Sequence, residues 1–311
     1  MSAVLAIGDV LALLAAIPLA AIGGELFLKG VLGLAAWLRL PKLLVATTLA
    51  AFATSSPELT VSSMAALAGK PEIGLGDALG SNVVNVALIL GIALLFGHLP
   101  AQIGELRRDI ALALAVPLLT LLFAADGTLS RSEGNALLVV FLCWLALVVR
   151  QAIQHRLDGV ADLSPPEPIP LIWLFTLAGL GCLVLSGRLF VSGASGIATA
   201  MGIHSYIVGA TVVAIGTSLP ELVTTLLSRW RGHDDVGLGT LLGSNLFNSL
   251  AIVGIAASIH PIQAPLQEVA IALLFDILAV LLILPWRGRI SRFRSIPLLT
   301  CYATYVVLTI R

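Results

Sequence analysis

Long apolar runs broken by short polar clusters set the pattern of this chain. A membrane-spanning helix needs ~20 predominantly apolar residues, and the polar breaks divide the chain into about ten such runs. The pattern predicts spans at Val10–Leu38, Leu43–Leu67, Leu75–Phe96, Ile110–Ala124 and Ala136–Val149. A polar, proline-bearing connector, Arg150–Pro170, comes next. The order then returns as Leu171–Ala200, Ile207–Leu227, Val236–Ile259, Leu266–Leu284 and Ile296–Ile310. The fourth and fifth runs are short for a crossing.

The two halves are copies. Ala51–Asn85 carries Thr54-Ser55-Ser56-Pro57-Glu58 and, further on, Gly80-Ser81-Asn82 with Asn85. Ala214–Asn248 carries Thr217-Ser218-Leu219-Pro220-Glu221 and Gly243-Ser244-Asn245 with Asn248, every pair offset by 163 residues. The match reaches back into the first run of each half, where Gly24, Leu26, Phe27 and Gly30 correspond to Gly187, Leu189, Phe190 and Gly193. A fixed offset across separated motifs marks a duplicated unit. The chain therefore divides into a first repeat (1–149), a connector (150–170) and a second repeat (171–311).

Composition supports the membrane reading. Of 311 residues, 59% are hydrophobic and 11% charged, against about 25% charged in a soluble domain; mean hydropathy is +1.05. Net charge is 0 and there is no basic tract, so nucleic acid is not an expected partner. MSAVLAIGDV has no Lys or Arg, which argues against a secretory signal with a basic start. Cys143, Cys182 and Cys301 lie in apolar runs at no metal-ligand spacing and read as small buried hydrophobes. Five spans per repeat is an odd number, so the copies enter the membrane from opposite sides. One set of loops holds twelve cationic residues (39, 42, 107, 108, 150, 156, 229, 231, 287, 289, 292, 294) and the other only Lys70, Arg131 and Arg311. By the positive-inside rule the richer side is cytoplasmic and both termini lie outside. The expected fold is an all-α membrane protein of about ten transmembrane helices in two inverted five-helix repeats.

The chemistry lies in the repeated motif. Ionisable groups in the hydrocarbon layer are costly and usually face a polar cavity with a partner, and Glu58 and Glu221 sit inside apolar spans. Pro57 and Pro220 each remove a backbone donor, which frees carbonyls around Ala51–Thr54 and Ala214–Thr217. Free carbonyls persist in a membrane only where they line a cavity or bind something. Carboxylates, carbonyls and hydroxyls are hard oxygen ligands suited to Ca2+ and Na+. The bland alternative is a kinked helix with a protonated, hydrogen-bonded glutamate. Ser81 with Asn85, and Ser244 with Asn248, are four residues apart and share a helix face that can oppose a glutamate. Gly76 and Gly80 read as close-packing positions. Glu25 and Lys29, at i,i+4, read as an ion pair on the first helix. Asp276 lies deep in the ninth span opposite Ala113 of the first repeat, and stays open between an internal pair and a proton-linked role.

GTSLPEL followed by GLGTLLGSNLFN resembles the alpha-repeats of the sodium/calcium exchanger group of the calcium:cation antiporters, over nearly the whole chain. The resemblance implies an alternating-access antiporter, not an enzyme, with ten helices, a midplane ion site and no cofactor beyond the transported Ca2+ and Na+. It implies that Glu58 and Glu221 hold Ca2+ with the carbonyls of Thr54 and Thr217. Flanking Na+ sites would be the Ala51 carbonyl with Ser55 and Ser244, and the Ala214 carbonyl with Ser218 and Ser81; Asn85 and Asn248 would line the middle. Two departures stand out. Ala53 replaces the Gly216 of the second copy, a change expected to stiffen one turn. Asn85 and Asn248 are amides where potassium-dependent relatives carry aspartate, which argues against a potassium requirement. The short connector leaves no room for the regulatory domain of animal exchangers, so a prokaryotic inner membrane is the expected location. Oligomeric state is not legible.

The rival on the same fold is a proton/calcium antiporter, but the hydroxyls of Ser55, Ser81, Ser218 and Ser244 favour Na+. An intramembrane metalloenzyme would need His or Cys ligands, and His98, His155, His204, His233 and His260 fall at helix ends without HExxH-type spacing. Against a channel, inverted repeats with broken helices favour a transporter.

Overall fold

Backbone amides have no water to bond in hydrocarbon, so each apolar run closes its own hydrogen bonds as a helix. A computed structural model describes residues 2–157, 167–200 and 214–310. Its first repeat contains α1 (Ser2–Leu38), α2 (Lys42–Thr54), α3 (Ser56–Leu67), α4 (Pro71–Leu95), α5 (Ile103–Phe123) and α6 (Arg131–Leu157). The second contains α7 (Ile169–Ala200), α8 (Ala214–Thr217), α9 (Leu219–Trp230), α10 (Asp234–Ile259), α11 (Leu266–Leu282) and α12 (Ser295–Ile310). Helices α2 and α3 are two halves of the second span, and α8 and α9 belong to the seventh. The beginning of the seventh span, from Ile207 to Val213, lies outside the described residues, as does the connector at 158–166.

The fourth and fifth spans are longer than the apolar pattern suggested. Helix α5 starts at Ile103 and takes in Arg107, Arg108 and Asp109, and α6 runs on to Leu157. Within α5 the Arg108–Asp109 pair neutralises itself and is anchored to α6. Arg108 Nε bonds Asp109 Oδ1 at 2.8 Å, and Trp144 Nε1 of α6 donates to the same oxygen at 3.0 Å.

Two small antiparallel sheets express the inversion. Strand β1 (Leu99–Pro100), after the third span, pairs with β4 (Arg289–Ile290), after the ninth. Strand β2 (Thr128–Leu129), after the fourth, pairs with β3 (Ile262–Gln263), after the eighth. Shifting β1 by the repeat offset of 163 residues gives β3. One sheet is therefore the image of the other at the opposite end of the helices. The β1–β4 end carries most of the arginines. There Arg229 Nη1 pairs with Asp234 at 2.7 Å and donates through Nη2 to the Phe96 carbonyl at 3.3 Å. Lys42 Nζ lies 3.3 Å from His233 Nδ1; burial and then the neighbouring Lys42 charge push the His233 imidazole below its usual range, so it accepts from the lysine.

Helices α1 and α7 cross through small residues. A Cβ on Gly23 would lie 2.7 Å from the Cβ of Cys182, and one on Gly193 would lie 2.5 Å from the Asp9 carbonyl. The main core lies among α4, α5, α10 and α11, around Val83, Leu90, Leu241, Leu246 and Leu250.

Several expectations need correction. Glu25 does not pair with Lys29: its Oε1 accepts from Arg231 Nε at 2.9 Å, tying α1 to the loop after α9. The nearer lysine loses because the two arginine nitrogens meet one carboxylate oxygen together. Cys301 is buried and Cys182 half-buried, but Cys143 is exposed on the outer wall of α6. Gly216 is needed less for turn flexibility than for room, since a Cβ there would collide with Val191. Close packing at the glycine stripe is seen in the second repeat, where a Cβ on Gly239 would meet Ala46 and the Leu43 carbonyl at 3.0 Å. Among the described residues, Gly80 would meet only Tyr305 at 3.5 Å, and Gly76 nothing within 4 Å. The repeat mates of Leu43, Ala46 and Thr47 are residues 206, 209 and 210, which lie outside the described residues.

Candidate ion-binding site

Both spans that carry the repeated glutamate break at the serine before it. Ser55 has φ −84° and ψ 9°, and Ser218 has φ −85° and ψ 12°, so α2 ends and α3 begins, and α8 ends and α9 begins, at equivalent places. A serine at a helix N-cap normally bonds the second or third amide of the helix. Here the second residue is Pro57 or Pro220, which has no N–H. The third is Glu58 or Glu221, whose own amide bonds its own carboxylate. Neither serine caps its helix, and each hydroxyl is left for other use. The carboxylates sit in the first turn of α3 and α9, where the positive end of the helix dipole favours anions.

Both glutamates are buried, each 1% exposed. Glu221 Oε1 accepts from Ser55 Oγ at 3.3 Å and from Ser244 Oγ at 3.2 Å, while the adjacent Thr54 hydroxyl donates back to the Ala50 and Ala51 carbonyls. Ser244 arrives because Gly243 lets α10 lie directly on α2: a Cβ there would run into the Thr47 carbonyl and come within 2.7 Å of the Ala51 Cβ. Thus Ser55, Ser244 and Glu221 come together from both repeats. The Ala51 carbonyl is less free than expected, since it accepts from the Ser55 amide at 3.0 Å and the Thr54 hydroxyl at 3.2 Å. The opposite flank is open. Glu58 Oε2, Ser218 Oγ and Ser81 Oγ are buried with no hydrogen-bond partner, as is Glu221 Oε2. Ala214 is the first residue of α8, and Thr217 hydrogen-bonds Asp77.

Asn85 and Asn248 each fall in a one-turn widening of the helix, over Val84–Ile89 and Phe247–Ile252, where the ladder shifts to i→i+5. Such bulges often mark functional positions. Their orientation is set by two asparagines that the sequence reading had not singled out. Asn85 Nδ2 donates to Asn245 Oδ1 at 3.1 Å, and Asn248 Nδ2 donates to Asn82 Oδ1 at 3.2 Å. Asn82 and Asn245 in turn donate to each other's backbone carbonyls at 3.4 and 3.2 Å. With their amide nitrogens engaged, Asn85 Oδ1 and Asn248 Oδ1 remain buried acceptors without a partner. The signal was present, because both asparagines belong to the repeated Gly-Ser-Asn. Asp276 belongs to this hub: its Oδ1 accepts from Asn245 Nδ2 at 3.2 Å, while Asn82 Nδ2 also donates to Ser249 Oγ at 2.6 Å. Asp276 therefore has a hydrogen-bond partner within the protein.

The arrangement is a set of buried oxygens from two carboxylates, hydroxyls and carboxamides, duplicated about an in-plane pseudo-two-fold axis. Among the described residues no three His, Cys, Asp or Glu side chains converge as a metal site. Oxygen donors without thiolate or imidazole suit hard cations held transiently. An inverted repeat with broken helices around a central polar site defines a secondary transporter of cations.

The family model for the sodium/calcium exchanger protein matches residues 9–150 and 171–311, so the chain belongs to that family. It is 33% identical to the inner membrane protein YrbG of Escherichia coli over 264 residues, 80% of this chain and 79% of that one. It is 26% identical to the sodium/calcium exchanger MaX1 of Methanosarcina acetivorans, over 92% of this chain and 93% of the relative. Among solved structures, the sodium-calcium exchanger NCX_Mj soaked with Na+ and Sr2+ superposes with a TM-score of 0.83 at 26% identity, over 97% and 98% of the two chains. The protein is an integral membrane antiporter of the calcium:cation class, not an enzyme.

Proposed function

We propose that the protein exchanges Ca2+ for Na+ by alternating access, and that the coupling ion is Na+, not H+. The carrying observation is the set of serine hydroxyls around the glutamates: Ser55 and Ser244 at Glu221, Ser81 and Ser218 on the Glu58 flank. A proton on a carboxylate needs no such cage, whereas Na+ must replace its water with neutral oxygens. Ca2+ takes the centre between Glu58 and Glu221, with the Thr54 and Thr217 carbonyls and Asn85 and Asn248 beside it. The flanks are Na+ positions, Ala51 with Ser55 and Ser244, and Ala214 with Ser218 and Ser81. Two flanking oxygen cages plus the centre offer three Na+ positions, and three Na+ exchanged for one Ca2+ would move one net charge per cycle. Exchange would then respond by about 2.3 kcal/mol per charge per 100 mV. The arginine-rich β1–β4 end is assigned to the cytoplasm of a prokaryotic cell, with both termini outside.

The test is labelled Ca2+ uptake into proteoliposomes under an imposed Na+ gradient, an imposed pH gradient, and a potassium diffusion potential. Uptake should follow the Na+ gradient and the potential. Uptake driven by the pH gradient with Na+ inert would transfer the protein to the rival class, and indifference to the potential would establish neutral exchange.

A further inference from the structure

The repeat is broken at one position beside the open flank. Asp77 of α4 lies one helical turn before Ser81 and two turns before Asn85, so the three share a face. Its mate at the 163-residue offset is Thr240, which is fully buried. The Thr217 hydroxyl hydrogen-bonds the Asp77 carboxylate, and Asp77 is close enough to Glu58 for the two charges to interact. Asp77 Oδ2 is shielded and has no hydrogen-bond partner, like the neighbouring Glu58 Oε2, Ser81 Oγ and Ser218 Oγ. Glu58, Ser81 and Ser218 are at most 1% exposed. The other flank is built differently: there Ser55 and Ser244 both bond Glu221, and no acid stands in the place of Asp77.

We infer that Asp77, with Thr217, Ser81 and Glu58, forms a doubly acidic entry subsite on one side of the centre, which Ca2+ occupies on its way to or from the centre in the part of the cycle when Na+ is absent from that flank. Two carboxylates and at least two hydroxyls meet the charge and oxygen demand of Ca2+ in transit, whereas the single carboxylate of the other flank offers a divalent ion no such stop. Asp77 does not make a three-acid centre with the two glutamates, in keeping with the absence of any such cluster among the described residues. Helix α4 begins at Pro71, at the end opposite the arginine-rich loops, and Asp77 comes before Ser81 along it. The subsite therefore serves ions that enter or leave through that end, and the two sides of the protein differ in Ca2+ affinity. This assignment rests on the exchange reading above for its cargo.

The experiment compares wild type with Asp77→Asn, Asp77→Thr, which restores the symmetry, and Thr240→Asp, which builds the acid into the other copy. Equilibrium binding of labelled Ca2+ to the purified protein is measured first. Uptake is then measured in right-side-out and inverted vesicles, varying Ca2+ on each side. Monodispersity and unfolding temperature confirm that each variant folds. Asp77→Asn and Asp77→Thr should weaken Ca2+ binding at least tenfold while shifting half-maximal Na+ inhibition less than threefold. In uptake, they should raise KM only when Ca2+ is offered from the end nearer Pro71. Thr240→Asp should tighten Ca2+ offered from the arginine-rich end. Unchanged Ca2+ binding in Asp77→Asn, or an equal rise in KM from both sides, overturns the assignment. A wild-type protein that binds Ca2+ but moves none against Na+ would sink the exchange reading and leave the subsite to be judged by binding alone.

Discussion

Asn245 is the most informative residue to remove, because it touches no proposed ion ligand except through Asn85. In Asn245→Ala three bonds disappear: Nδ2 to the Asn82 carbonyl at 3.2 Å, Nδ2 to Asp276 Oδ1 at 3.2 Å, and Asn85 Nδ2 to Oδ1 at 3.1 Å. Each buried partner left unsatisfied costs about 1–3 kcal/mol, so the folded state should lose roughly 3–9 kcal/mol if nothing rearranges. The functional effect is separate. Asn85 loses the acceptor that fixes its amide, and its Oδ1 is no longer held toward the site. A tenfold rise in the Ca2+ concentration for half-maximal uptake, about 1.4 kcal/mol, is the expected size. The decisive assay is a double-mutant cycle in proteoliposomes with Asn85→Ala. If Asn245 acts by orienting Asn85, the double variant should be little worse than Asn85→Ala alone, with a coupling of ~1 kcal/mol or more. Strictly additive losses in KM would show that Asn245 has no orienting role.

Three further outcomes follow from the same geometry. Glu58→Gln and Glu221→Gln keep shape but remove a charge from the centre; each should raise the Ca2+ requirement at least 100-fold, about 2.8 kcal/mol, with normal insertion, and near-normal uptake in either would remove the central claim. Gly243→Ala places a methyl against Thr47 and Ala51; it should cost about 1–3 kcal/mol in unfolding measurements and loosen the Ser244–Glu221 contact, and wild-type stability would show that α10 and α2 are not in register as described. Single cysteines at Arg107, Arg292 and Arg131, in a chain lacking Cys143, Cys182 and Cys301, should be blocked by an impermeant thiol reagent on whole cells only at position 131; the reverse pattern would invert the topology.

What the sequence disclosed was set by periodicity and repetition. A carboxylate in an apolar span that recurs at a fixed offset is visible as text, so Glu58, Glu221 and the four serines could be found without coordinates. The four-residue spacing of Ser81 and Asn85 put both on one face, and carrying that spacing one step back would have found Asp77. Features that depend on distant side chains were not legible. Glu25 chose Arg231, 206 positions away, over the lysine one turn along its own helix. The full length of α5 was hidden because Arg107, Arg108 and Asp109 break the apolar run, and the Arg108–Asp109 pair with its hydrogen bond from Trp144 exists only after folding. Duplication also conceals: Asn82 and Asn245 recur with the motif, yet they work by bonding to each other across the axis.

The last expectation concerns what the empty oxygens do to the protein itself. Buried polar groups in folded proteins are nearly always hydrogen-bonded, and Asp276 obeys that rule by accepting from Asn245. Glu58 Oε2, Glu221 Oε2, Ser81 Oγ, Ser218 Oγ, Asn85 Oδ1 and Asn248 Oδ1, all from the repeated motif, are exceptions to it. At about 1–3 kcal/mol each, six such atoms are a cost that a structural role would not retain in two copies. A bound cation offsets it, and by linkage must stabilise the fold in proportion to its occupancy. Ca2+ at ~1,000 times its dissociation constant should add about 4.1 kcal/mol, read as a rise in unfolding temperature of the purified protein. Na+ should produce a smaller rise, and Mg2+, which gives up its water reluctantly, little or none. In Glu58→Gln, weakened at least 100-fold, the same Ca2+ should add no more than about 1.4 kcal/mol, while the ion-free protein becomes more stable, because a buried charge has been removed. If Ca2+ leaves the wild-type unfolding temperature where it was, these oxygens do not form a cation site.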